Sequence, residues 1–172
     1  MDNAMQSASS QWLENHAPGY RNLSHHERQA IFDFVFLWSL FEARILETNA
    51  NTHLIETRVT QWYNDGTLNA DHFVAELEYY RERYINSEAP NDHYTGLNII
   101  SGRFNEILLT VLTGQENSHY SRMLCLIIIV WRLRNNLLHG EKWTYEIRDQ
   151  LENFTVANSI LMKLLDSYGD IA

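Results

Sequence analysis

The chain is poor in the residues that interrupt or cross-link a fold. Its 172 residues include two prolines, seven glycines and one cysteine. A single cysteine excludes an intrachain disulfide, and Cys125 sits inside an apolar run, where it reads as a small core residue rather than a reactive thiol. The scarcity of glycine leaves no phosphate-cradling loop of the Walker or dinucleotide-binding kind. Basic residues are also few: 13 against 22 acidic, a net charge of −9. That balance opposes sequence-independent nucleic-acid binding, which depends on neutralising phosphates, and no binding in a DNA groove is expected. The longest apolar stretch, Met123 to Trp131, falls far short of the ~20 residues a membrane span needs. The N-terminus carries Asp2 and has no apolar signal core, so the expectation is a soluble cytoplasmic protein. The eight histidines are scattered, with no HExxH and no Cys/His pairing, so no metal site and no cofactor is expected.

What is present is helical periodicity. No useful run alternates with period two, so strands are not expected. The chain is the right size for one domain: residues 1–23 read as a loosely ordered arm and 24–172 as a single helical domain. The expected fold is an all-α, up-and-down bundle of five or six helices, with Trp38, Phe41, Leu77, Ile127 and Leu151 buried. Ser24 and Glu27 form a capping box that starts a helix running to about Thr48. Ile31, Phe34, Val35, Trp38, Phe41 and Ile45 fall on one face of it, and Phe32, Phe36, Leu37 and Leu40 on a second. Glu42 stands on the core side as a candidate buried carboxylate. A helix is expected over Thr52–Tyr63. Another, over Ala70–Tyr84, has Asn69 as its cap and a stripe of Phe73, Leu77, Tyr80 and Tyr84. That stripe reads as core; the alternative is a base-stacking platform of Tyr79, Tyr80 and Tyr84. The Asn86–Asp92 connection precedes a helix over Tyr94–Leu112 that contains Gly96 and Gly102. Ser118 caps the next helix, and the last spans about Thr144–Ser167.

The stretch Leu124–Trp143 organises the rest. An unbroken apolar run to Trp131 is followed directly by Arg132, Arg134, Asn135, Asn136 and His139, and Gly140 then ends the helix. Polar groups at the rim of a core are costly unless paired, so they form either a hydrogen-bonded helix-end network or a site. Charge is also concentrated here: between Ser118 and Arg148 there are five basic residues, Lys142 among them, against two acidic ones. A phosphate-bearing ligand would be drawn to this locality alone.

The string Arg134-Asn135-Asn136-Leu137-Leu138-His139-Gly140 resembles the signature of the HEPN superfamily, the nucleotide-binding domains of higher eukaryotes and prokaryotes. That signature is an Arg, a polar residue after it, and a His four to six residues beyond the Arg. Trp38-Ser39-Leu40-Phe41-Glu42 is similar to an early helix in plasmid- and phage-defence members. Both Arg134 and Arg132 satisfy the spacing to His139; Arg134 is preferred because Asn135 supplies the polar residue after it. The resemblance implies an HEPN-like bundle and a metal-independent endoribonuclease with a toxin or defence role, in which the RNA 2′-hydroxyl attacks its own phosphate. In that reading Arg134, His139 and Asn135 are catalytic, and Arg132, Asn136 and Lys142 bind substrate. The implied partners are RNA or a nucleotide, a second copy of the chain and an antitoxin. The homodimer has a physical motive too, since the first long helix and the Leu124–Trp131 run are apolar on more faces than one core can cover. The alternative function is a non-catalytic module that binds nucleotide or RNA, or dimerises as an adaptor.

Overall fold

Helix formation follows the caps. The computed structural model describes residues 7–99, 102–138 and 150–170. At Ser24 the hydroxyl accepts from the Glu27 amide at 3.2 Å, and the Glu27 carboxylate accepts from the Ser24 amide at 2.8 Å. This reciprocal cap opens α2, His25–Ile45, and satisfies donors that a helix start leaves orphaned. Asn51 caps α3, Thr52–Asn64, through its side-chain oxygen. The Ser118 hydroxyl accepts from the Ser121 amide at 3.2 Å and opens α7, His119–Leu138. Upstream, residues 7–23, read from sequence as a loosely ordered arm, contain α1, Ala8–His16, which buries no side chain.

The architecture is all-α. Two antiparallel strands, β1 (Ile85–Asn86) and β2 (Ala89–Pro90), are the exception among the described residues. Ser87 and Glu88 turn between them with φ of 49° and 66°. Both central residues are left-handed, as in a primed hairpin turn. Neither is the glycine or asparagine that would have announced the turn, which explains why the sequence pattern concealed this hairpin.

The core is centred on α7. Every side chain from Met123 to Val130 is buried, so one chain covers all faces of this run, and the expectation of leftover apolar surface on it is corrected. Helix α2 buries Ala30, Phe34, Trp38, Phe41 and Ile45. It packs antiparallel to α8, Leu151–Tyr168: Phe34 meets Phe154 at 5.1 Å between ring centroids, and the Asn158 amide donates to the Ala30 carbonyl at 3.0 Å. Helix α4, Val74–Tyr84, follows a 3-10 turn at Asp71–Phe73. Its Tyr80 and Tyr84 are fully buried, which removes the base-stacking alternative for them. Burial lifts both phenols well above the ordinary tyrosine value.

Two expectations about helices change. The single helix over Tyr94–Leu112 is broken into α5, Asp92–Thr95, and α6, Arg103–Leu112. Asn98 and Gly102 take φ of 53° and 131°, conformations a right-handed helix cannot contain. Leu151 is exposed, whereas Trp38, Phe41, Leu77 and Ile127 are buried. Leu151 shares a stripe with Thr155 and Met162, and the core face of α8 is carried instead by Phe154, Ala157, Leu161 and Leu164. Among the described residues no helix is long and apolar enough to cross a membrane.

Candidate functional site

Helix periodicity decides which polar residues at the end of α7 can meet. Residues two apart point about 200° from each other on an α-helix, so Arg132 and Arg134 serve opposite sides. Arg132 Nε donates to the Leu97 carbonyl at 2.8 Å, and Asn136 Nδ2 donates to the Gly96 carbonyl at 2.9 Å. Together they bind the backbone that leaves α5, and Asn136 is buried there. The structure therefore does not bring these two expected substrate-binding residues into one site with Arg134.

Arg134 faces α2 across a cavity of about 210 Å³ whose wall includes Phe34, Trp38, Ser39, Glu42 and Leu137. Its Nη1 donates to Asn135 Oδ1 at 3.0 Å. Its Nη2 lies 3.8 Å from Glu42 Oε2, with the two side chains 27% and 20% exposed. The guanidinium carbon stands 6.0 Å from the centroid of the Trp38 ring, at the outer limit of a cation–π contact. Nε of Arg134 is buried and has no hydrogen-bond partner among the described residues.

Glu42 is the residue that fixes this arrangement. Its Oε2 accepts from Trp38 Nε1 at 2.9 Å, one helical turn earlier, and its Oε1 accepts from the Ala50 amide at 3.0 Å. Two neutral donors thus hold the carboxylate, which leaves Arg134 at ion-pair distance rather than in a close two-pronged bond. Among the described residues this guanidinium is oriented but not saturated, and its planar fork suits a phosphate's oxygens. Trp38 was legible from sequence as a core residue and Glu42 as a carboxylate on the core side. Their meeting with Arg134 was not, because 92 positions separate Glu42 from Arg134. The i, i+4 spacing of Trp38 and Glu42 was the one local signal.

His139 and Lys142, also expected at the site, lie outside the described residues. Among the described residues no three His, Cys, Asp or Glu side chains converge in a way that could hold a metal ion. No family model, curated protein or solved structure matches this chain.

Proposed function

We propose that this chain is a metal-independent endoribonuclease of HEPN type. The observation that carries the reading is an arginine of the motif helix, Arg134, held beside a cavity by Asn135 and by the anchored Glu42. In the proposed reaction the ribose 2′-oxygen attacks the adjacent phosphorus and the bond to the 5′-oxygen of the next nucleotide breaks. The products are a 2′,3′-cyclic phosphate and a free 5′-hydroxyl. His139 has the side chain whose ordinary pKa suits proton transfer near neutrality, and it removes the 2′-hydroxyl proton or protonates the departing oxygen. Arg134 stabilises the charge that grows on the phosphoryl oxygens. Asn135 and Glu42 are positioning residues for that guanidinium.

The same reading includes a homodimer. The outward face of α2 exposes Phe32, Val35, Phe36 and Leu40, a stripe at helical spacing with no cover among the described residues. It borders a groove of about 690 Å³ between α2 and α8, where Asn158 Oδ1 is buried without a partner among the described residues. Ser39 lines both this groove and the Arg134 cavity. A second copy seated on α2 would therefore adjoin the site and allow one His139 to act as base and its mate as acid.

A second reading, a silent binding or adaptor module, is favoured by Glu42, whose carboxylate offsets the charge of Arg134. Incubating purified protein with RNAs of several folds, with and without chelator, separates the two. The nuclease reading expects cyclic-phosphate ends and a roughly 10²–10⁴-fold loss of cleavage in Arg134→Ala and in His139→Ala. RNA left intact by the wild type under all conditions supports the silent module.

A further inference from the structure

A second cavity, of about 230 Å³, opens on α7 just before the Arg134 site. Its walls include Trp131, Phe104, Ile128 and Thr52, and Arg103 and Arg132 stand at its edge. Each aromatic ring has a guanidinium beside it: Arg132 Cζ is 5.5 Å from the Trp131 centroid, and Arg103 Cζ is 5.9 Å from that of Phe104. Arg103 is steadied by Glu56, whose carboxylate accepts from Nη1 at 2.6 Å, yet its side chain remains 61% exposed. A lining of aromatic and apolar side chains with two guanidinium groups over the rings matches a nucleobase whose sugar and phosphate stay outside. The volume agrees, being below the ~300–1,000 Å³ of sites that enclose a whole small molecule.

Position links this cavity to Arg134. Trp131 precedes Arg134 by three residues, about 4.5 Å along the helix axis. Thr52, on its wall, begins α3 two residues after Ala50, the backbone donor to Glu42. The two cavities thus flank one connection between α2 and α3. The net charge of −9 adds a reason for such a pocket. An acidic chain gains little from general phosphate attraction, and stacking supplies affinity that does not depend on it.

We propose that the Trp131–Phe104 pocket binds one nucleobase of single-stranded RNA, neighbouring the nucleotide whose phosphate meets Arg134. The neighbouring-phosphate part rests on the ribonuclease reading; occupancy of the pocket by a base does not. The test titrates the purified full chain with the four nucleoside 5′-monophosphates while following tryptophan fluorescence, and measures cleavage of a short unstructured RNA in parallel. Wild type should show saturable quenching. Trp131→Leu, which keeps apolar bulk at a half-buried position, should abolish it and raise the KM for RNA roughly tenfold, the scale of losing one stacked base, with kcat changed less. Arg103→Ala, at an exposed position that leaves the core untouched, should weaken monophosphate binding about two- to fivefold. No saturable response in wild type, or an unchanged response in a folded Trp131→Leu or in Arg103→Ala, overturns the pocket, even if RNA is cleaved. Quenching that is lost in Trp131→Leu while no RNA is cut upholds the pocket and removes the nuclease reading instead.

Discussion

Removing the Glu42 carboxylate should cost far more stability than removing the arginine it faces. In Glu42→Ala the Trp38 indole N–H and the Ala50 amide both lose their acceptor. A hydrogen bond to a charged group contributes about 1.5–3 kcal/mol, and both donors are only partly buried, so the lower value applies to each. The ion pair adds less than its geometry suggests. At 3.8 Å Coulomb's law with an effective dielectric of about 20 gives about 4 kcal/mol. Both partners remain in contact with water, and desolvation and side-chain entropy reduce pairs of this kind to about 0.5–1 kcal/mol. The whole substitution should therefore cost about 3–4 kcal/mol, a large share of the ~5–15 kcal/mol by which domains are stable. Among the described residues Arg134→Ala loses the ion pair, a marginal cation–π contact and the bond to Asn135, and it removes an Nε with no partner there, so about 1 kcal/mol or less is expected. Urea unfolding followed by circular dichroism at neutral pH measures both. The reasoning is refuted if Glu42→Ala falls within about 1 kcal/mol of wild type, or if Arg134→Ala costs as much as Glu42→Ala. The contrast also bears on function, since a motif arginine that contributes little to stability is one whose charge is available to a ligand.

Two further outcomes follow from other parts of the molecule. If a second copy covers the outward face of α2, then Phe36→Glu, at a side chain 62% exposed within the chain, should keep the fold. Light scattering should then move from about twice the 20.3 kDa chain mass to that of a single chain; a wild type that is monomeric at all micromolar concentrations removes the dimer. The second concerns acid stability. Buried Glu76 joins α4 to α8, its Oε1 accepting from Ser159 Oγ at 2.6 Å and from Lys163 Nζ. Burial pushes its carboxyl up, but the hydrogen bonds from Lys163 and Ser159 outweigh this and hold it below the usual glutamate value. A depressed folded-state pKa contributes stability above the unfolded value of about 4.3, which is lost as pH falls through the folded one. Urea midpoints should therefore fall more steeply below about pH 4.3 in wild type than in Glu76→Gln; parallel curves would show that the carboxylate has no such role.

Local chemistry was legible in the sequence where one helix could express it alone. The Ser24–Glu27 cap, the Ser118 cap, the buried run of α7 and the stripe of Phe73, Leu77, Tyr80 and Tyr84 depend on residues within a few positions of each other. Period and capping are properties of neighbours along the chain, so one dimension suffices to read them. The break between α5 and α6 was visible only as two glycines inside a helical pattern. The left-handed turn at Ser87–Glu88 left no signal, because its residues are not those that adopt that conformation readily. Tertiary structure alone decided the rest. Both α2 and α7 look apolar on more than one face, yet the Met123–Val130 run of α7 is enclosed and α2 keeps Phe32, Phe36 and Leu40 outside; only packing assigns the cover. At the motif, sequence supplied Arg132, Arg134, Asn135 and Asn136 as an undivided cluster. The fold divided them, committing Asn136 and the Nε of Arg132 to the carbonyls of Gly96 and Leu97 and turning Arg134 toward Glu42. The physical reason is distance along the chain: an ion pair across 92 positions exists only once the fold brings Glu42 of α2 to the end of α7, and helical periodicity carries no information about which helices will meet.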